Sequence, residues 1–100
     1  MQKSIRREKL TEYIKHSVDI YLSQNIEKLG LVHIIDVNLS EDSKTAFVYI
    51  SCPIHQNEKK LENSIINDRR DISEIFKKMF SSKYIPKVKI VCVKETDVKL

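Results

Sequence analysis

A chain of 100 residues with a single glycine, Gly30, has few backbone conformations open to it. Glycine adopts positive φ at little cost and lets a backbone approach a ligand closely. The dinucleotide fingerprint and the P-loop each need several glycines for that purpose. Both are excluded, and so is the ordinary GxxG loop with which many KH domains clamp a nucleic-acid backbone. Gly30 itself lies between a helical pattern and a strand-like one, where a residue free to take positive φ is useful.

From about Ser4 to Asn25, Leu10, Tyr13, Ile14, Val18, Tyr21 and Leu22 recur at three- and four-residue steps. That spacing predicts a helix with one apolar stripe, and Ser4 is placed to cap it. After Gly30 the period changes. Leu31, Ile35, Val37 and Leu39 share one face of a predicted strand, with Asp36 and Asn38 on the other. His33 falls on the apolar face near the strand's start, where a histidine is ordinarily a packed core-edge residue and not a ligand. Residues 40–44 form a polar turn, and the β-formers of Thr45 to Cys52 complete a hairpin that Pro53 ends. Helical spacing returns from Glu58 to Ser81 in Leu61, Ile65, Ile72, Ile75, Phe76, Met79 and Phe80. The polar run Asn67-Asp68-Arg69-Arg70-Asp71 interrupts it, which predicts two helices or one kinked helix. Lys87 to Lys94 alternates again as a third strand, and the tail from Glu95 to Leu100 reads as frayed.

The order α-β-β-α-α-β puts a two-helix crossover between the second and third strands, so that pair should be parallel and the connection right-handed. Ala46, Val48, Ile50, Val88 and Ile90 share the phase expected to lie under the helices. The reading is one α+β domain over residues 1–100, ordered from about 4 to 95, with a three-stranded mixed sheet and helices on one face.

Lysine and arginine outnumber the acids by 18 to 14, and the net charge of +4 favours an anionic partner. Cys52 and Cys92 lie in apolar runs, and MQKSIRREKLTEY has no apolar stretch of an export signal, so two reduced, buried thiols in a soluble cytoplasmic protein are expected. Their spacing to His16, His33 and His55 matches no zinc pattern, so neither a metal nor a cofactor is expected. No spacing gathers a nucleophile, a base and an oxyanion donor, which argues against an enzyme.

Certain strings follow in a telling order. Arg6-Arg7 precedes Leu10 and Ile14. Lys28-Leu29-Gly30 is followed by Ile35-Asp36-Val37-Asn38-Leu39-Ser40-Glu41-Asp42, then by Ala46-Phe47-Val48-Tyr49-Ile50-Ser51 and by Ile85-Pro86-Lys87-Val88-Lys89-Ile90. At these spacings they resemble ribosome-binding factor A: its basic opening and first helix, its glycine turn and first strand, its second strand and the start of its third. The resemblance implies a type II KH-like fold. It implies a non-catalytic factor that binds the free small (30S) ribosomal subunit and its 16S rRNA, near the 5′ end and the decoding region, during late maturation and processing. It further implies a role in cold adaptation and release before translation begins. Members of that family carry a small-x-Gly kink between the last two helices. The corresponding Asp68-Arg69-Arg70 has neither alanine nor glycine, so a bend there falls to Asn67, which tolerates left-handed geometry, or to Asp68 or Asp71 as the cap of the final helix.

Binding of RNA by a small basic domain rests on cations that neutralise phosphates and release counterions. Arg69 and Arg70, beside the start of the last helix, are the first candidates, because a guanidinium fork suits phosphate. The alternative is a solvated pair balanced by Asp68 and Asp71. Lys77, Lys78 and Lys83 extend that region, Lys87 and Lys89 lie on the sheet face away from the helices, and Arg6, Arg7 and Lys9 form an N-terminal cluster. Lys59 and Lys60 rank lower beside Glu58 and Glu62. Phe47, Tyr49, Val91 and Val93 share the open sheet face and make a second candidate surface, for stacking on bases or for a partner, unless termini and lysine stems cover it. The expected partners are 16S rRNA and the free 30S subunit, with no DNA and no membrane, and the chain should act as a monomer. The alternative is a protein-interaction module that uses the open apolar face of the sheet.

Overall fold

The computed structural model describes residues 2–80 and 84–94, with side chains from Arg7 onward. Its elements are α1 (Gln2–Gln24), α2 (Ile26–Leu29), β1 (Ile34–Leu39), β2 (Thr45–Cys52), α3 (Glu58–Asn67), α4 (Arg69–Phe80) and β3 (Lys87–Lys94). The predicted frayed tail lies outside the described residues.

Helix α1 begins ahead of Ser4, which is therefore inside the helix and not at its cap. The predicted stripe is the buried one: Ile14, Val18, Tyr21 and Leu22 enter the core, and Leu10 and Tyr13 pack at its margin. Ser17 joins this face because its hydroxyl donates to the Tyr13 carbonyl at 2.8 Å, which leaves no polar group unmatched. At Asn25 the chain breaks and restarts as the short α2, while the Asn25 side-chain amide donates back to the Tyr21 carbonyl at 2.8 Å. Gly30 closes α2, its N–H donating to the Ile26 carbonyl at 2.7 Å.

Strand β2 is the centre of a three-stranded sheet of order β1-β2-β3, antiparallel to β1 and parallel to β3. Ala46, Val48, Ile50 and Cys52 are buried together with Ile90 and Cys92, and Val88 packs beside them, so the helices cover one face as the phase predicts. Both cysteines are buried, and the Cys52 thiol donates to the Pro53 carbonyl at 3.7 Å and the Gln56 carbonyl at 3.8 Å. Burial, and then the nearby Glu62 carboxylate, pushes the Cys92 thiol up to about 12, which keeps it protonated and unreactive near neutral pH.

The first strand departs from the sequence reading. It starts at Ile34, and the register slips between Ile34 and Asp36. A bulge adds one residue to one side of a ladder and re-aims the side chains beyond it. Ile34 thus sits opposite the buried Ile50, Ile35 turns outward at 51% exposure, and Val37 is inward as expected. Leu31 precedes the strand and is 77% exposed. His33 is also exposed and is no core-edge residue: among the described residues its hydrogen bonds are those of its backbone, the N–H donating to Ser51 Oγ at 3.3 Å and the carbonyl accepting from the Ser51 N–H at 2.9 Å.

Helix α3 packs against β3, and α4 packs against α1. Leu61, Ile65, Ile72 and Phe76 are buried, whereas Met79 stays exposed at the end of the predicted stripe. Tyr13 stacks on Phe80 with ring centroids 3.8 Å apart, and Phe76 meets both rings edge-on. Such pairs add roughly 0.5–1.5 kcal/mol beyond their burial. Among the described residues no helix is long and apolar enough to cross a membrane.

Gly30 has φ 85 and ψ −172, a region that is essentially reserved for glycine. A Cβ there would stand 3.1 Å from Gln56 Nε2, which donates to the Leu29 carbonyl at 2.9 Å. Strain and crowding act in the same direction. Gly30→Ala should therefore lower the unfolding free energy by about 1–3 kcal/mol in urea titrations, with the slope unchanged. An unmoved midpoint would contradict this account of the turn.

Candidate nucleic-acid interface

The break between α3 and α4 is a single residue, Asp68, with φ −98 and ψ 15. Its N–H donates to the Ile65 carbonyl at 3.0 Å, and its own carbonyl accepts from the Asp71 N–H at 2.8 Å, so the backbone passes from one helix to the next with its polar groups matched. No left-handed residue is used; Asn67 stays helical. The side chain does not cap α4 either. It turns back across the fold, accepting from the Tyr21 hydroxyl and the Lys28 ammonium, each at 2.5 Å.

These contacts shift both acids. Hydrogen bonds from Lys28 and then Tyr21 hold the Asp68 carboxyl below the usual carboxylate range. Burial, followed by the Asp68 bond and charge, pushes the Tyr21 phenol far above its ordinary value. The two contacts differ in weight. The Lys28 side chain is 50% exposed, so water screens its attraction, while Tyr21 is fully buried.

Arg69 and Arg70 are the first two residues of α4 and are exposed, with Asp68 turned away from them. Arg70 and Lys77 lie about two turns apart, hence on one side of the helix. Lys78 faces elsewhere: it lines a cleft between α1 and α4 with Asp71 and Glu74, so acids surround it. Lys9 is exposed about one turn from Tyr13, and Lys77 about one turn from Phe80, so both flank the stacked ring pair. Arg7 is tied to the β1–β2 turn, donating to the Ser40 carbonyl at 2.9 Å, the Glu41 carbonyl at 3.1 Å and Ser43 Oγ at 2.8 Å. Lys87 and Lys89 are exposed on the far face of the sheet. Lys83 and the Arg6 side chain lie outside the described residues. The candidate cations thus divide between two opposite surfaces.

Comparison with known proteins bears on this arrangement. No protein-family model matches the chain, and no curated protein matches it in sequence. Solved structures do. The crystal structure of ribosome-binding factor A from Thermus thermophilus is 17% identical with a TM-score of 0.69, over 86% of this chain and 94% of that one. The solution structure of a Thermotoga maritima protein, provisionally assigned as a ribosome-binding factor A, is 14% identical with a TM-score of 0.62, over 97% and 92% of the two chains. The chain has the fold of ribosome-binding factor A. It is therefore a KH-like α+β fold, as the ordered strings imply.

Within the ribosome-binding factor A fold, one cationic groove escapes the sequence reading. Lys28, Asn57, Lys60 and Ser64 line a surface depression between α2 and α3, and Lys28 joins it to the Asp68 break. Lys60 ranks low in sequence because Glu62 follows it. In the fold, Glu62 Oε2 instead accepts the Cys92 N–H at 3.2 Å on the outer edge of β3. Lys59, by contrast, shares a different depression with Glu58 and Glu62. Only helical phase separates the two lysines, and it is readable once the ends of α3 are known.

The coupling of Asp68 to Tyr21 gives a signed pH dependence. A carboxyl whose folded value is lowered stabilises the fold above its ordinary value, and that stability is lost as pH falls below about 4. The raised Tyr21 phenol stabilises below its ordinary value and loses its contribution as pH rises past about 10. Urea midpoints measured across pH should fall at both ends in the wild type. Asp68→Asn should flatten the acid limb. Tyr21→Phe should flatten the alkaline one and cost about 1.5–3 kcal/mol at neutral pH, the range for a hydrogen bond to a charged group. Identical profiles in all three proteins would exclude the coupling.

Proposed function

We propose that the chain is a non-catalytic, monomeric assembly factor that binds 16S rRNA in the free 30S ribosomal subunit during late maturation, acts in the cytoplasm and contributes to growth in the cold. The observation that carries this reading is the shared fold with ribosome-binding factor A across 86% of this chain and 94% of the Thermus thermophilus one. Exposed cations at the α3–α4 break support it.

The break also suggests how the contact is made. A glycine turn lets backbone N–H groups approach phosphates directly. Here the turn residue is Asp68, whose side chain is anchored inward and whose neighbours Arg69 and Arg70 point to solvent. Guanidinium groups in a planar fork then take the place of close backbone approach. Lys60 lies in the depression shared with Lys28, whose ammonium is held by Asp68 beside the break.

If about four phosphates are neutralised, affinity for single-stranded RNA should fall with salt at a log–log slope near −3. In co-sedimentation the chain should pellet with free small subunits and not with assembled ribosomes. Arg69→Glu with Arg70→Glu should reduce that association about tenfold or more while the protein still melts cooperatively, since two favourable phosphate contacts become repulsive. Unchanged co-sedimentation would remove the break from the site. A nearly salt-independent affinity for an apolar protein partner would instead favour an interaction module.

A further inference from the structure

On the sheet face turned away from the helices, two aromatic rings and two ammonium groups stand at a common pitch. Phe47 and Tyr49 project from β2, and Lys87 and Lys89 from β3. The register sets Lys87 beside Thr45, Lys89 beside Phe47 and Val91 beside Tyr49. Residues two apart along a strand are separated by about 6.6–6.8 Å, and neighbouring strands by about 4.8 Å. Both rings are half-buried and both lysines exposed. Lys89 Nζ lies 6.0 Å from the centroid of the Phe47 ring. The outward positions of β2 and β3 carry no acid. On the other side of β2 the pattern changes: Asp36 stands beside Tyr49 and Asn38 beside Phe47.

We propose that this face holds a short single-stranded RNA segment, one base against each of Phe47 and Tyr49, with its phosphates along β3 at Lys87 and Lys89. The proposal rests on the RNA-binding reading above and adds a second contact surface, across the sheet from Arg69 and Arg70. Charge fixes which way the segment lies. Its phosphates are drawn to the β3 side and repelled from the β1 side by Asp36. Asn38 offers an amide donor and acceptor to the edge of the base on Phe47. A ring accepts any base on its face, so contact here is tolerant of sequence. A duplex keeps its bases stacked on one another and presents no free faces, so the surface selects single strands. An apolar protein partner fits less well, because it would desolvate two lysines that have no acid opposite them.

The test uses the full chain and a fluorescein-labelled RNA of mixed sequence, single-stranded or annealed to its complement, followed by anisotropy. The wild type should prefer the single strand. Phe47→Leu with Tyr49→Leu keeps the apolar cover and removes the ring faces. It should lower single-strand affinity about tenfold or more with the salt slope unchanged. Lys87→Gln with Lys89→Gln alters only exposed side chains. It should make the slope shallower by about 1.4. Cooperative thermal melts establish that each variant is folded, and the lysine pair decides the matter if the ring pair is not. Wild-type binding to RNA that neither variant weakens overturns this proposal and leaves the RNA-binding reading standing. Absence of any RNA binding by the wild type overturns both. Loss of binding to a ribosomal protein, with RNA affinity intact, identifies a protein-docking face and overturns the proposal.

Discussion

The alternation along β2 organises this fold. As the central strand it is hydrogen-bonded on both edges, so its register cannot slip without breaking two ladders at once. Its even-numbered residues, Ala46 to Cys52, are buried under α1 and the crossover helices, which hides one complete face. Of its odd-numbered residues, Phe47 and Tyr49 are thereby committed to the outside, while Ser51, bonded to the His33 backbone, is buried. Core and open surface are two consequences of one period-two pattern. The β1 bulge is tolerated because it falls on an edge strand, where the extra residue, Ile35, can point to water.

A second constraint acts at the helix break. Two helices in sequence, joined by one residue, need something to set the angle between them. A glycine would do so through backbone freedom, at a cost in unfolded-chain entropy. This chain uses a side chain instead: the Asp68 carboxylate binds Tyr21 on α1 and Lys28 on α2, so the break is held by elements distant in sequence. The angle is fixed only when the helices are packed. The stacked Tyr13–Phe80 pair at the opposite end of α4 completes the fixation, since a helix held at both ends cannot swing on α1.

Much of this is legible in residue spacing. Apart from the short α2, the element order follows from periods of 3.6 and 2, as do the α1 stripe, the parallel pairing of β2 with β3 and the buried phase of the sheet. What escapes has a common cause. Counting along a regular strand puts Ile35 and His33 on the inner face, and a bulge is invisible to counting. Capping is a local rule and assigns Asp68 to its own helix, whereas its partners come from far along the chain. Lys60 is discounted against Glu62, which the fold sends to the edge of β3. In each case a tertiary contact overrides a local rule. The cations are identifiable individually, yet their division between two faces depends on which layer each element joins.

That division carries a consequence for a domain this small. The helix layer offers arginines at the break, and the outer sheet face offers rings beside lysines, with the buried core between them. A single rigid ligand such as a duplex would touch one surface or the other. A folded ribosomal RNA presents helices and single strands in fixed relative positions, and a two-sided domain can engage both at once only where that arrangement exists. On the RNA-binding reading proposed above, each contact alone would be weak and salt-sensitive, while the pair would gain from effective concentration. Binding of that proposed kind would distinguish one arrangement of the RNA from another without reading sequence, and it would weaken when rearrangement separates the two elements. On that proposal, a chain with one glycine would be selective through the spacing of its charged and aromatic side chains and not through a phosphate-cradling loop.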